Sequence, residues 1–210
     1  MSDKQLQIKT KNRNMSSRNE VFKQGSFFHI YNRGCNKNKI FFEEDNYTYL
    51  LRKIKNFTSE FMISVIAYCL MPNHYHLLLK QNSEKPLNKC VQFIFNSYSK
   101  AINKKYNRSG TLFEGKFKSV EVDEEEALKV CRYIHRNPLD DKLVNNLEDW
   151  KYSNYLDWIG KRNGVLYDKD FMKKHFPKPE LYKKFVIDYF SDKQAADELR
   201  EYLKLLKKKM

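Results

Sequence analysis

Two histidines separated by one residue, His74 and His76, form the most chemically suggestive pair in the chain. In an extended segment, residues i and i+2 project from one face, so both imidazoles can meet a single cation while Tyr75 points the other way. Two nitrogen ligands do not complete a metal site, and a third donor must come from elsewhere in the fold. Tyr133 and Asn137 lie four residues apart in DEEEALKVCRYIHRNP, which places them one turn from each other on a shared helical face. Asn137 could lend its carboxamide oxygen to the cation, with the Tyr133 phenol beside it. A phosphate held there through one oxygen becomes more electrophilic at phosphorus and the leaving charge is stabilised, so these four side chains suit phosphoryl transfer. Imidazole nitrogens plus an amide oxygen, with open positions left, favour Mg²⁺ or Mn²⁺ over zinc.

The elements that must position these residues can be read from periodicity and turn residues. SFFHIYNRG reads as a strand closed by a turn, and EEDNYTYLLRKIKNF as a helix with Tyr47, Leu50, Leu51 and Ile54 on one face. The unbroken apolar run 61–70 predicts a central strand, and 74–80 a second strand paired with it across Met71-Pro72-Asn73. Pro86 suits the first turn of a helix whose apolar face is Val91, Ile94, Phe95, Tyr98, Ala101 and Ile102. Residues 111–122 read as an extended segment bearing Lys116 and Lys118 on one face. The resulting β-α-β-β-α-β order predicts an α+β, ferredoxin-like antiparallel sheet with its helices on one face. The helix bearing Tyr133 is an addition to that plan. Asp123 and Glu126 form a capping box at its start, and Pro138 is expected to stop it. Basic amphipathic helical patterns follow around 169–175, 179–190 and 192–208.

Three regions result: a basic flexible arm over 1–24, a main domain over 25–160 and a basic helical extension over 161–210. The arm carries Lys4, Lys9, Lys11, Arg13, Arg18 and Lys23 against Asp3 and Glu20 alone. A formal net charge of +14 over 210 residues favours a polyanionic partner, although a lysine-rich proteome would produce a similar balance. Cys35, Cys69, Cys90 and Cys131 are scattered without a CxxC pair, which argues for reduced thiols rather than a zinc ribbon. No apolar run approaches the roughly 18 to 20 residues needed to span a bilayer, and the polar start lacks a signal-peptide core, so a cytoplasmic, nucleoid-associated location without membrane contact is expected.

MPNHYHLLL resembles the HUH motif of single-tyrosine transposases of the insertion-sequence type, and RYIHRNPL followed by WKYSNYLDW resembles the nucleophile helix and downstream segment of their REP-associated branch. FHIYNRG and GTLFEGKFKS fall in the matching order, so the likeness runs from about residue 26 to 160. The resemblance implies that Tyr133 attacks a phosphodiester in single-stranded or hairpin DNA, forming a covalent 5′-phosphotyrosine link and a free 3′-hydroxyl for later strand transfer. It also implies that His74, His76 and Asn137 hold Mg²⁺ or Mn²⁺, and that the protein is a monomer or a homodimer that exchanges its tyrosine helix. The chain departs from its relatives at Asp140 and Asp141, where small or basic residues are common.

Other assignments compete for the same chemistry. Tyr98 and Tyr106 sit on the preceding helix, but no ligand candidate lies four residues from Tyr106, which reads better as a helix-end aromatic. His29, His135 and His175 lack partners in sequence and read as structural. Cys69 with His74 and His76 is a zinc alternative. Arg33, Lys116, Lys118, Lys129, Arg132 and Arg136 are the candidate DNA contacts; Lys129, Arg132 and Arg136 read equally as a solvated basic face, and Lys116 and Lys118, alternating on one strand face, are the better candidates. A domesticated, non-catalytic nucleic-acid-binding protein of the same fold is the alternative to the enzyme.

Overall fold

The structure is a computed structural model and describes residues 22–188. Most of the expected arm, and the helical pattern at 192–208, lie outside the described residues. Phe22, assigned to the arm, packs on Phe28 with ring centroids 4.6 Å apart.

Strands β1 (Phe27–Arg33), β2 (Ile63–Met71), β3 (His74–Gln81) and β4 (Lys118–Val122) form one antiparallel sheet in the order β2-β3-β1-β4. Helices α1 (Glu44–Glu60) and α2 (Leu87–Lys105) complete the ferredoxin-like plan. They cover one face of the sheet, burying Leu50, Ile54, Val91, Ile94 and Tyr98 against Phe28, Ile30, Tyr75, Leu77 and Leu79. The other face belongs to α3 (Glu124–Asp140) and the chain after it, around Leu78, Cys69, Val130, Ile134, Trp158 and Tyr182. β2 and β3 are therefore apolar on both sides, which explains why 61–70 shows no alternation. Among the described residues no helix is long and apolar enough to cross a membrane.

Three boundaries differ from the sequence expectation. Pro86 is the N-cap of α2 rather than a first-turn residue, and the Gln81 side chain accepts from the Leu87 N–H at 3.0 Å. The segment 111–117 is not strand: Gly115 has φ +70°, a conformation that breaks an extended run, and Leu112 and Phe113 are buried instead. Pro138 lies inside α3, which continues to Asp140. Its ring removes one backbone donor, the one that would reach the Ile134 carbonyl, and the helix runs only two residues further. The capping box between Asp123 and Glu126 forms as expected.

One polar network fixes α3 on the sheet. A register shift between Val65 and Ala67 places Ile66 and Ala67 together in the core beneath α3. The Ile66 carbonyl accepts from Asn154 Nδ2 at 2.9 Å and from Trp158 Nε1 at 3.2 Å. Asn154 Oδ1 in turn accepts from the Tyr68 N–H at 2.7 Å. That orientation makes Oδ1 an acceptor for His135 as well, so His135 carries its proton on Nε2 (2.8 Å) and accepts the Tyr182 hydroxyl at Nδ1 (2.6 Å). Asn154 and His135 are buried, and α3 is thus bolted to β2 through one amide. The neighbouring segment also protects the sheet edge, because Leu70 donates to Tyr152 and Asn154 to Tyr68 along β2.

Two further short helices, α4 (Tyr155–Trp158) and α5 (Lys169–His175), lead to α6 (Pro179–Ile187), which docks on α3. Arg132 donates to the Phe185 carbonyl at 3.4 Å and Arg136 to that of Val186 at 3.0 Å, so two arginines satisfy the last-turn carbonyls of α6. Replacing Asn154 with Ala should cost on the order of 2–4 kcal/mol in denaturant unfolding, since it strands several buried partners at once. Burial holds His135 down at about 4, against an ordinary value of 6.5. A lowered folded-state value means that its contribution is complete above pH 6.5 and is lost as pH falls toward 4. Unfolding free energy measured at stepwise pH should decline across that window, with a shallower slope in His135→Gln.

Candidate active site

Strand pairing assembles the site on the α3 face of the sheet. His74 and His76 sit opposite Arg33 and Tyr31 of β1, and Lys118 of β4 lies opposite Tyr31. Residues directly opposite in an antiparallel pair share a face, so Arg33, Tyr31, His29, His74, His76 and Lys118 form one surface. Tyr75 faces the other way and stacks on Phe95 at 3.9 Å between centroids. Helix α3 crosses the surface with Tyr133 edge-on to His76 at 5.2 Å and to His29 at 6.0 Å. Asn137 donates from Nδ2 to the Tyr133 carbonyl at 2.8 Å, and its amide lies within hydrogen-bonding reach of both the His74 ring and the Tyr133 phenol. His74, His76, Tyr133 and Asn137 therefore meet within one chain.

The two imidazoles are held alike. His74 Nδ1 is 2.7 Å from Asn73 Oδ1, and Asn73 Nδ2 donates to the Lys37 carbonyl at 3.2 Å, which turns the amide oxygen toward the ring. His76 Nδ1 is 3.0 Å from His29 Nε2. Both Nε2 atoms are thereby left for another partner. The loop behind Asn73 needs its glycine: the Gly34 N–H donates to the Asn73 carbonyl at 2.7 Å, and a Cβ there would lie 2.0 Å from the Asn38 carbonyl oxygen.

Burial dominates the electrostatics. It depresses His76 well below its ordinary range, helped by the neighbouring His74 and His29, and it lowers His74 against a smaller opposing pull from Asp141. Burial likewise holds His29 down at about 3. All three rings are neutral near pH 7 and offer lone pairs. The Tyr133 phenol is raised by burial, with the Asn137 amide pulling the other way. Two neutral imidazole nitrogens and an amide oxygen are a donor set that could hold a divalent cation with positions left open. Among the described residues, no group of three His, Cys, Asp or Glu side chains is placed to hold a metal ion, so the set depends on Asn137. Cys69 gives the zinc alternative no support: burial pushes its thiol up, and Sγ donates to Met71 Sδ at 3.6 Å.

The basic residues divide. Lys118 flanks the site and is lowered by burial and then by Arg33, while Lys116 is exposed just before β4. Arg33 pairs with Glu114 at the rim. Lys129, one turn before Tyr133, is 3.7 Å from Glu125. Arg132 and Arg136 do not face the site: both are buried and directed at α6, with Arg136 also 3.0 Å from Asp140. Their spacing of four residues serves a second face of α3, which is why a phosphate-steering role does not suit their positions.

Sequence reasoning passed over His29 and Asn73. The signal for His29 was its place two residues before Tyr31 on a strand facing His76, but the strand register carries that information. His135 is structural as expected, and His175 bonds Glu124 at 2.7 Å. Tyr98 donates to the Ile40 carbonyl at 2.7 Å and Tyr106 to Asn46 at 3.1 Å, away from the histidines.

The fold is similar to that of a REP-associated tyrosine transposase bound to a REP hairpin, with a TM-score of 0.59 and 15% identity over 73% of this chain and 94% of that one. A Deinococcus radiodurans R1 protein assigned as a transposase aligns at a TM-score of 0.40 and 16% identity, over 57% of this chain and 95% of its own, too slight a likeness to bear on the site. No curated protein matches the chain. The family model of IS200-like transposases matches residues 23–137, more than half of the chain, from the strand bearing His29 through the ligand candidate Asn137; the chain belongs to that family.

Proposed function

We propose that this protein is a metal-dependent, single-tyrosine HUH endonuclease and strand transferase acting on single-stranded DNA that carries a hairpin. The meeting of Tyr133 and Asn137 with His74 and His76 in one chain carries the reading. The REP hairpin bound to the transposase of similar fold supports the choice of DNA. Tyr133 Oη attacks the scissile phosphorus, the bond from phosphorus to O3′ breaks, the phenol proton is released and the departing O3′ takes up a proton. The products are a 5′-phosphotyrosine and a 3′-hydroxyl. Attack of a 3′-hydroxyl on the phosphotyrosine reverses the step and rejoins a strand, so no other reactant is consumed. His74 Nε2, His76 Nε2 and Asn137 Oδ1 would hold the Mg²⁺ or Mn²⁺, which supplies Lewis-acid polarisation of the phosphate. Asn137 also donates to the Tyr133 carbonyl one turn back, and burial raises the phenol further above its ordinary value. Lys118, Lys116, Arg33 and Lys129 would contact the backbone of the strand around the site. The histidines that face Tyr133 belong to the same chain, which supports action in cis.

Incubation with hairpin-bearing single-stranded DNA and Mn²⁺ should yield a covalent protein–DNA adduct, absent in Tyr133→Phe and after chelation. An adduct persisting in Tyr133→Phe would move the nucleophile elsewhere, and binding without cleavage across metals and hairpins would favour a binding-only protein. Lys118→Ala should weaken single-strand binding several-fold and flatten the plot of log affinity against log salt by about 0.7, the share of one phosphate contact.

A further inference from the structure

His29 is fully buried on β1, and its Nε2 lies 3.0 Å from Nδ1 of His76. A neutral imidazole has one N–H and one lone pair, so a hydrogen bond at one nitrogen decides what the other presents. If His29 donated to His76, the His76 proton would sit on Nε2 and point an N–H into the site. If His29 accepts, His76 Nδ1 carries the proton and Nε2 turns its lone pair toward Tyr133 and Asn137. Asn73 enforces the second arrangement on His74, because its Oδ1 can only accept and its Nδ2 is engaged by Lys37. A cation shared by the two rings needs the same arrangement at His76. An isolated imidazole prefers its proton on Nε2, so His76 needs an acceptor at Nδ1.

We propose that His29 is a positioning residue that accepts the Nδ1–H of His76 and so presets His76 Nε2 as a metal donor; this rests on the reading of His74, His76 and Asn137 as the metal-holding set. The geometry gives His29 a second task. Its ring lies 5.1 Å from Tyr31 and meets Tyr133 edge-on at 6.0 Å, so the ring that orders His76 also forms part of the wall against which the nucleophile rests. A metal ligand and a nucleophile on different elements thereby share one spacer. Removal of such a supporting partner typically lowers metal affinity by about 10–100-fold.

The test uses the full chain without DNA. Long-range ¹⁵N NMR of the metal-free protein should show His76 protonated at Nδ1, and Mn²⁺ titration followed by EPR reports affinity. His29→Leu should shift the His76 proton toward Nε2 and weaken Mn²⁺ binding by about 10–100-fold, while His29→Gln, which retains an acceptor, should recover most of it. Wild-type His76 protonated at Nε2, or unchanged Mn²⁺ affinity in His29→Leu, overturns the proposal; the wild-type tautomer decides the matter even where the leucine variant fails to fold. His76→Ala separates the two levels of inference. If it binds Mn²⁺ as the wild type does, the metal site itself is misassigned. If it loses binding while His29→Leu keeps it, only the role of His29 falls.

Discussion

The structure depends on a single buried amide. Asn154 bonds two backbone groups of β2 and the His135 ring, and through His135 it reaches the Tyr182 hydroxyl. An apolar interface alone would let α3 slide or rotate over the sheet, since dispersion and burial are weakly directional. Directional bonds at fixed points restrict that freedom. They set the rotation of α3 about its axis, and His135 is two residues from both Tyr133 and Asn137. The position of the phenol over His76 is thus decided on another face of the helix, in a network with no part in the chemistry.

Helix α3 is consequently read on three faces. One turns Tyr133 and Asn137 toward the histidines, another buries Cys131, Ile134 and His135 under the 154–158 segment, and a third sends Arg132 and Arg136 to the carbonyls of α6. The arginine contacts show that a basic residue next to Tyr133 can serve the docking of another helix. A guanidinium at a helix C-terminus meets unpaired carbonyls and the negative end of the dipole, a favourable setting for a buried cation.

The β-α-β-β-α-β order and the β2–β3 hairpin were legible because 61–70 is an unbroken apolar run and the Pro72-Asn73 turn leaves only a hairpin, whereas the covering of the second face by α3 was not. The HxH alternation and the four-residue spacing of Tyr133 and Asn137 were legible because they are local geometry. What escaped depends on distant partners. Arg132 and Arg136 looked like DNA contacts because α6 lies about fifty residues on, and no local pattern shows that it returns to α3. His29 looked structural because its neighbour is set by the register of β1 on β3. The length of β4 was overread because the glycine that interrupts it takes a conformation that strand-like neighbours do not reveal.

The long span of the His135 network bears on the order in which the protein becomes complete during synthesis. The two partners of that ring lie 19 and 47 residues further along the chain. While the polypeptide is still emerging, the sheet and its histidine pair can form, but the tyrosine helix lacks the bonds that orient it. The orientation of Tyr133 thus depends on a residue as late in the chain as Tyr182. A chain that lacked Tyr182 would keep both histidines on the sheet and lose one of the bonds that orient the helix bearing Tyr133.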